Sequence, residues 1–367
     1  MAENVNVIGA GTAGLIAARR LGELGIHAIV YDQKRTPGLP ARASGILSIS
    51  GLSTLGMSYS PCITNTLYGA NIHAGGRAMR VRSERAVAQV LDRKMLNDRC
   101  MDAALDMGAD VHTGIRLSGT ALDGMSKDGV VIGADGAVSA VAAHFGIGQA
   151  PRNVLTWKAE YRVDAPEEGM VDLFFDNRAY RGLFAWLCPN SEDVLEVGVG
   201  IDSRYGNAKD AFEKFISREE VRGIIGNKRP VTEHASLIPM NMRRKIADEA
   251  RRVLLVGDAA GQVKPTTGGG IIFGGNAALM AAEAVRGYID GTGRLSEYSR
   301  RFLRKYGVDV AMHAAINSIY SSAPSGALGG AITVLKAFGV DKFLGEYGDM
   351  DRPTVMLKRF FLRSLAL

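Results

Sequence analysis

The chain has 367 residues, 47% apolar and 22% charged, and its 44 lysines and arginines against 38 acidic residues give a net charge of +6. This composition excludes global disorder, and the length predicts about two domains whose cores need no disulfide or metal. The three cysteines lie far apart without a CxxC pair, and the histidines lack metal-ligand spacing. No basic run with interleaved aromatics indicates nucleic-acid binding. Glycines interrupt the first apolar stretch, so we expect no signal peptide and a cytoplasmic protein.

The N-terminal residues predict a β-α-β unit, with a strand over 4–8, a helix over 14–24 and a second strand over 28–31. The run between the first strand and the helix is Gly9-Ala10-Gly11-Thr12-Ala13-Gly14. Missing side chains there let the turn tighten and admit a pyrophosphate, which the free N–H groups of the helix would bind. Asp32, followed by Gln33, ends the second strand, where a carboxylate can accept hydrogen bonds from ribose hydroxyls. The unit predicts dinucleotide binding; the alternative is a tight structural turn.

The next stretch of chain predicts both strands and a helix. Residues 66–82 predict two short strands around Gly75-Gly76, and a strand over 129–132 leads into Ala134-Asp135-Gly136. Residues 84–107 predict one long helix with an apolar face formed by Val87, Val90, Leu91 and Met95.

A sheet is predicted in the middle of the chain, where β-branched and aromatic residues dominate. The runs are 157–163, 171–175, 183–187 and 195–201. Their lengths and the turns between them indicate an antiparallel sheet inserted into the α/β pattern.

The α/β pattern returns with a strand over 253–256 that ends in Gly257-Asp258. A carboxylate at a strand end suits the ribityl chain of a flavin, although an Asp there can also simply cap the next helix. The segment Pro265-Thr266-Thr267-Gly268-Gly269-Gly270 then opens a helix over 270–289. Its N–H groups would polarise a flavin carbonyl and stabilise charge on the reduced ring. These two elements favour FAD over NAD as the dinucleotide.

The predicted fold class is α/β, with a discontinuous FAD-binding Rossmann-like domain and an inserted antiparallel substrate domain. The predicted boundaries are 1–150 and 236–305 for the FAD-binding domain, 151–235 for the inserted domain, and 306–367 for a C-terminal helical segment. Residues 310–335 have no charged side chain, but their serines, glycines and Pro324 favour a buried helix, a turn and a second helix over a membrane span. The tail 352–367 is basic and amphipathic, which suits either an anionic lipid surface or docking on the core.

The segment from Val256 to Ile271 resembles the FAD-dependent geranylgeranyl reductase family, within the wider hydroxylase-like group of flavoproteins. The Ala134-Asp135-Gly136 element and Arg93 are similar too, and the resemblance implies that Asp135 and Arg93 contact FAD. The loop Ala43-Ser44-Gly45 is similar to a family loop close to the flavin. That family loop often carries a cysteine where this chain has Ala43, which leaves the proton source open. The resemblance covers roughly residues 4–300.

A substrate-side resemblance lies in the segment 183–189, which is similar to the family's Tyr-x-Trp-x-Phe-Pro sequence on the sheet that lines a prenyl cavity. Phe184 replaces the tyrosine and Cys188 the phenylalanine, whereas Trp186 and Pro189 are retained. The resemblance implies that Phe184, Trp186 and Pro189 contact substrate. The alternative is that these aromatic residues only pack the sheet onto the FAD domain.

The resemblance implies a flavin-dependent reductase that hydrogenates the isoprenoid double bonds of geranylgeranyl chains, most plausibly in archaeal membrane lipids. A ferredoxin or NAD(P)H would donate electrons, and a basic surface would suit peripheral contact with the inner face of the membrane. Two alternatives stay open on the residues. One is an FAD-dependent monooxygenase or halogenase that consumes O₂ and NAD(P)H. The other is a prenyl carrier without the flavin, which intact Gly257-Asp258 and Gly268 to Gly270 argue against.

Overall fold

The computed structural model describes residues 4–40, 44–117, 119–148 and 152–364. The strands of the described residues are β1 (Asn4–Ile8), β2 (Ala28–Asp32), β3 (Ile46–Ser48), β4 (Ile63–Leu67), β5 (Gly69–Ala74), β6 (Arg77–Arg82), β7 (Ala88–Leu91), β8 (Asp110–Thr113), β9 (Gly129–Gly133), β10 (Asn153–Tyr161), β11 (Met170–Phe175), β12 (Gly182–Pro189), β13 (Leu195–Asp202), β14 (Thr232–Pro239), β15 (Ala247–Asp248) and β16 (Val253–Leu255). The helices are α1 (Thr12–Glu23), α2 (Ile49–Leu52), α3 (Arg93–Asp106), α4 (Gly119–Asp128), α5 (Ala140–His144), α6 (Ala208–Ile216), α7 (Glu219–Ile225), α8 (Ile271–Ile289), α9 (Glu297–Ser322), α10 (Ser325–Ala337), α11 (Val340–Tyr347) and α12 (Pro353–Ser364).

The first sheet has the strand order β15-β16-β9-β1-β2-β8, parallel except for the short edge strand β15. Its central strands read as apolar runs because helices cover both faces of a parallel sheet, and Val5 and Val7 are completely buried. In the pairing register, Ile8 of β1 and Leu255 of β16 both lie opposite Gly133 of β9. Three strands therefore end side by side, which is where parallel sheets bind ligands. The predicted β-α-β unit is confirmed.

The second sheet has the order β14-β10-β13-β12-β11-β5-β6 and is antiparallel except where β5 runs parallel to β11. Its outer face packs on α6 and α7 through alternate residues such as Val197 and Val199. The predicted antiparallel sheet is present. However, β5 and β6 come from the part of the chain predicted to belong wholly to the FAD-binding domain, so the sheet draws on both sides of residue 150.

The third sheet, β3-β7-β4, corrects the prediction of one long helix over 84–107. Residues 88–91 are strand β7, and Val90 is buried in an apolar cluster between this sheet and the second sheet. The helix begins only at Arg93, because the side chain of Asp92 accepts a 2.8 Å hydrogen bond from the backbone N–H of Met95 and caps α3. Pairing with β3 and β4 overrides the helical spacing.

The C-terminal helices α9 and α10 form the predicted helix, turn and helix, but the prediction that they are buried is wrong for their outer faces. Ile319 in α9 is 71% exposed and Val334 in α10 is 54% exposed. Helices α10 and α11 pack on the edge strand β6, where Gly345 of α11 approaches the carbonyl of Arg82. No helix in the described part of the chain is both long and apolar enough to cross a bilayer.

Candidate functional site

The glycine-rich turn between β1 and α1 is tight at two positions and open at a third. A Cβ at Gly14 would lie 1.9 Å from the carbonyl oxygen of Gly9, and a Cβ at Gly9 would lie 2.3 Å from that of Ala134. Gly9 also has φ +112°, a region that side chains disfavour. Gly11, in contrast, has no atom of the described residues within 4 Å of a built Cβ. The N-terminus of α1 therefore faces open space with no side-chain cap, as a phosphate site requires.

Asp32 lies at the end of β2 beside this turn. Its Oδ2 accepts a 2.8 Å hydrogen bond from the backbone N–H of Ala10, and its Oδ1 accepts one of 2.8 Å from the backbone N–H of Lys34. Each carboxylate oxygen keeps a second lone pair for a ribose hydroxyl. Gln33 is exposed next to it. Asp32 thus fixes the turn and remains suitable for the predicted ribose contact.

Arg93, at the first position of α3, brings a positive charge to the same region. Its Nη2 lies 3.5 Å from Oγ1 of Thr12 in α1. Its Nε and Nη1 are shielded from solvent and have no hydrogen-bond partner among the described residues. Burial lowers the pKa of Arg93, against the opposing effect of Asp258 and other groups. A buried guanidinium with two unpartnered donors is costly, so this arginine is suited to a polar ligand.

Asp258 lies in the 3-10 turn Gly257–Ala260 that follows β16. Its carboxylate accepts no hydrogen bond from any described residue. Burial raises its pKa from 3.8 to about 6, although the charge of Arg93 acts in the opposite direction. A Cβ at Gly257, where φ is +63°, would come within 3.0 Å of the Cβ of Ala13, so this turn packs directly on α1. Asp258 is thus a partly buried acceptor beside the phosphate turn, with no donor among the described residues.

The predicted flavin loop ends against both Asp258 and the second sheet. A Cβ at Gly270 would lie 2.8 Å from Oδ1 of Asp258, and one at Gly268 would lie 2.8 Å from Cδ1 of Ile238 in β14. Helix α8 begins at Ile271, and its N-cap Gly270 provides no side-chain cap. Free N–H groups at this end can bind a carbonyl or an anionic ring.

Two other predicted cofactor residues occupy supporting positions. Asp135 uses its side chain locally: Oδ1 accepts a 2.6 Å hydrogen bond from the Ser139 hydroxyl, and Oδ2 accepts one of 3.0 Å from the N–H of Val141. Only its backbone borders the turn, with its Cα 3.0 Å from a Cβ at Gly9. Gly45 packs on β7, where a Cβ would lie 2.1 Å from the carbonyl oxygen of Leu91. Ala43 lies outside the described residues.

Two of the three predicted substrate residues, Phe184 and Trp186, lie on the inner face of the second sheet, whereas Pro189 lies opposite Leu195 of the outer-face cluster. Phe184 and Trp186 meet edge to face with ring centroids 6.2 Å apart, in an apolar cluster. Pro189 ends the strand, and its carbonyl accepts a 2.8 Å hydrogen bond from Nδ2 of Asn65 in β4. The cluster's buried members are Leu67, Ala88, Val90, Val154, Val171, Leu183, Phe184, Trp186, Cys188 and Met240. It forms a continuous apolar wall between the second and third sheets.

Gly198 and Gly200 of β13 are site residues that the sequence analysis missed. A Cβ at Gly198 would lie 2.1 Å from Cζ2 of Trp186, and one at Gly200 would lie 2.3 Å from Cδ2 of Leu183. The side chains of β12 therefore lie flat over bare backbone. The sequence contained a signal for this packing, because alternate glycines inside a strand indicate close approach of another group to the backbone.

Glu196 was also missed, and it joins the wall to the flavin side. It is fully buried, and its Oε2 receives a 2.7 Å hydrogen bond from Nζ of Lys158, while Oε1 receives one of 2.8 Å from the Trp186 indole. The Ser44 hydroxyl also donates to Oε1. Burial raises the pKa of Glu196, but Lys158 and these hydrogen bonds outweigh it and bring the pKa below its ordinary value. Glu196 thus ties Ser44, in the Ala43-Ser44-Gly45 loop predicted to lie close to the flavin, to the second sheet.

The residues present fit FAD. The open space beside Gly11 and the N-terminus of α1, which has no side-chain cap, suit the pyrophosphate of FAD. The remaining lone pairs of the Asp32 carboxylate suit its ribose. The orphaned donors of Arg93 and the unpartnered carboxylate of Asp258 lie where a polar cofactor would satisfy both. The uncapped N-terminus of α8 faces the same region.

Comparison with known proteins agrees with this geometry. The sequence profile of the FAD binding domain family matches residues 129–312, half of the chain. The chain is 29% identical over 347 residues to digeranylgeranylglycerophospholipid reductase 1 of Methanosphaera stadtmanae, covering 87% of this chain and 85% of the relative. A geranylgeranyl bacteriochlorophyll reductase-like structure from Thermoplasma acidophilum superposes with a TM-score of 0.81 at 19% identity, covering 97% of this chain and 94% of the other. The flavin-dependent halogenase CmlS superposes with a TM-score of 0.66 at 16% identity, covering 94% and 72%.

The comparisons confirm the resemblance to the geranylgeranyl reductases, the flavoprotein fold and the cofactor that the sequence predicts. The two solved structures establish the fold, which reductases and halogenases share. With the profile match over half of its length, the chain belongs to the FAD binding domain family of flavoproteins, and its cofactor is FAD.

Proposed function

We propose that the protein is an FAD-dependent oxidoreductase that hydrogenates isoprenoid C=C bonds of geranylgeranyl chains in membrane lipid biosynthesis. The observation that carries the proposal is the contact between the apolar wall and the two loops predicted to bind the flavin, one containing Ser44 and the other Gly268. Ser44 donates a hydrogen bond to Glu196, which accepts one from Trp186 of the wall, and Gly268 packs on Ile238, which borders the wall. The names of relatives such as the M. stadtmanae reductase support the substrate class.

The chain's contribution is to bind and orient an apolar chain away from water. Each CH₂ buried on a wall such as that of Phe184 and Trp186 contributes about 0.8 kcal/mol, so an isoprenoid chain can bind without polar contacts. Bound FAD supplies the hydride, and correct orientation in a dry cavity lowers the barrier. Glu196 holds the Trp186 indole in one orientation through its 2.8 Å hydrogen bond. A ferredoxin or NAD(P)H is proposed as electron donor.

The test is anaerobic. The flavin is reduced with dithionite, digeranylgeranyl phospholipid is added, and flavin reoxidation is followed together with the mass of the lipid. We expect reoxidation coupled to a stepwise gain of two hydrogens. A flavin that stays reduced until oxygen enters would overturn the reductase proposal and favour the oxygen-dependent halogenase or monooxygenase chemistry. NADPH and ferredoxin are then compared as replacements for dithionite.

Trp186→Ala is expected to slow lipid-dependent reoxidation by at least about tenfold while FAD content is unchanged, because the apolar wall loses roughly 2 kcal/mol of contact with substrate. Trp157→Ala is the matched control. It removes the chain's other tryptophan, which lies in the same sheet but packs in the cluster on the outer face. Equal rates for both variants would contradict the placement of substrate on the inner face.

We also propose that the protein contacts the membrane surface through α10 and the residue after it. Phe338 is 83% exposed and follows Val334 and Leu335, with exposed Lys336 and Lys342 beside it in the chain. Apolar side chains flanked by lysines favour the interface of an anionic bilayer.

This contact predicts that the protein floats with phosphatidylglycerol vesicles in a density gradient, more than with phosphatidylcholine vesicles. Phe338→Asp should lower the vesicle-bound ratio about tenfold, since one aromatic contact is lost and a negative charge is added. Val138→Asp is the control. Val138 is equally exposed, at 82%, but it lies in the loop between β9 of the first sheet and α5. A similar loss with both variants would count against this surface.

A further inference from the structure

A buried ion pair joins the C-terminal segment to the flavin loop. Nζ of Lys264 lies 2.6 Å from Oδ1 of Asp351, and both side chains are buried. The Ser48 hydroxyl donates to Oδ2 of Asp351, and Nε2 of His313 lies 3.1 Å from its backbone carbonyl oxygen. Asp351 comes from the loop between α11 and α12, 87 residues after Lys264. The pair therefore depends on the tertiary fold.

Lys264 lies directly against the glycine loop. A Cβ at Gly269 would lie 2.9 Å from Cε and 3.4 Å from Nζ of Lys264. The backbone is tied in the same way, because the N–H of Lys264 donates a 3.0 Å hydrogen bond to the carbonyl of Gly269. Gly270, the next residue, is both the N-cap of α8 and a close neighbour of Asp258. The ammonium group is thus fixed beside the helix end that faces the cofactor region.

The two charges of the pair are not equivalent with respect to this loop. The Lys264 side chain is among the nearest groups to Gly269, whereas Oδ2 of Asp351 points toward Gly51, 2.6 Å from where a Cβ would lie there. Charges in a low-dielectric interior act over longer distances than in water. A buried pair is also weak support for stability, because desolvation offsets the attraction. An electrostatic role toward the cofactor explains this position better than a stabilising one.

We propose that the Lys264–Asp351 pair sets the reduction potential of bound FAD, with Lys264 favouring the reduced state and Asp351 limiting that effect. Reduction adds two electrons and one proton from an external donor, which leaves one extra negative charge on the isoalloxazine ring. A fixed positive charge at the α8 N-terminus stabilises that charge. The proposal depends on FAD alone and not on the prenyl substrate, so it stands or falls separately from the proposed reductase function.

The test is a spectroelectrochemical or dye-coupled titration of the purified holoprotein without substrate, at neutral to mildly alkaline pH, above the pKa of Asp258. Lys264→Met is expected to lower the two-electron potential, and Asp351→Asn to raise it. Each change should correspond to about a tenfold shift in the equilibrium between oxidised and reduced flavin, or about 30 mV. The double variant should fall between the two single variants. Lys245→Met is the control, because it removes the same charge from an exposed lysine that pairs with Asp248 away from the glycine loop.

Opposite shifts are the signature, since a merely structural role would move both variants in the same direction or neither. Same-direction shifts, or potentials equal to wild type, would overturn the proposal. If Lys264→Met retains no FAD absorbance, Asp351→Asn decides alone, because asparagine keeps the shape and can still accept the hydrogen bond from Lys264. An unchanged or lower potential in that variant would also overturn it.

Discussion

Gly14→Ala is expected to abolish FAD retention and to lower the free energy of unfolding by about 3 kcal/mol, since overpacking at a rigid site has costs of that size. The new Cβ would lie 1.9 Å from the carbonyl oxygen of Gly9, so either α1 or the turn must move. Both atoms at the clash belong to or are attached to the backbone, and no side-chain rotation can relieve it. Urea unfolding and the 450 nm absorbance of the purified protein measure the two effects.

Gly11→Ala separates cofactor binding from folding at the same turn. A Cβ there meets no atom of the described chain within 4 Å, so stability should stay close to wild type. The methyl group would occupy the space that the pyrophosphate needs, and we expect FAD affinity to fall at least tenfold. Gly124→Ala in α4 is the matched control, because its Cβ also meets no atom of the described residues within 4 Å and alanine favours a helix. Normal FAD affinity in Gly11→Ala would show that the phosphates lie elsewhere.

Asp258→Ala is expected to weaken FAD binding by about 10- to 100-fold, the usual value for losing a hydrogen bond to a charged group. The carboxylate has no hydrogen-bond donor among the described residues and lies beside the orphaned donors of Arg93. Fluorescence titration of FAD into protein stripped of flavin measures the change. Asp123→Ala, which removes an exposed carboxylate of α4 that pairs with His144, should bind FAD normally. Unchanged affinity in Asp258→Ala would remove this residue from the site.

The raised pKa of Asp258 also predicts a pH dependence of FAD binding. Without FAD the pKa is about 6, because burial disfavours the carboxylate. A hydroxyl of FAD that donates to the carboxylate would lower the pKa, so binding would release a proton below about pH 6. Affinity should therefore fall as the pH drops below about 6, by up to tenfold per unit, and stay constant above it. The FAD affinity of Asp258→Asn should not change with pH across this range. A loss of affinity in that variant parallel to the wild type would contradict the assignment.

The raised pKa of Asp258 also determines how the stability of the FAD-free protein changes with pH. A folded pKa above the unfolded value near 3.8 means that the folded state binds the proton more tightly. Protonation of Asp258 therefore stabilises the FAD-free fold at low pH, and this contribution is lost as the pH rises through about 6. Above that pH, Asp258→Asn without FAD should be more stable than wild type.

The sequence by itself determined the parts of this protein that depend on local backbone geometry. The turn from Gly9 to Gly14, the strand end at Gly257-Asp258 and the start of α8 were all placed correctly. Each depends on residues within one turn of one another, where a missing side chain or a free N–H has the same consequence in any fold. Their convergence follows once the strands pair in one parallel sheet, because parallel strands end at one edge of a sheet.

Only the tertiary structure decided the features that depend on distant pairing. Residues 88–91 have helical spacing but form β7, because β3 and β4 supply strand partners that local propensity does not encode. Ser44 meets Glu196, and Lys264 meets Asp351, across 152 and 87 residues of chain. In the sequence these are isolated charged or polar side chains, and each would normally be expected in water. Once buried, each side chain needs its partner, because an unpaired buried polar or charged group is costly. Burial itself results from the packing of sheets and helices, which no short segment of the chain specifies.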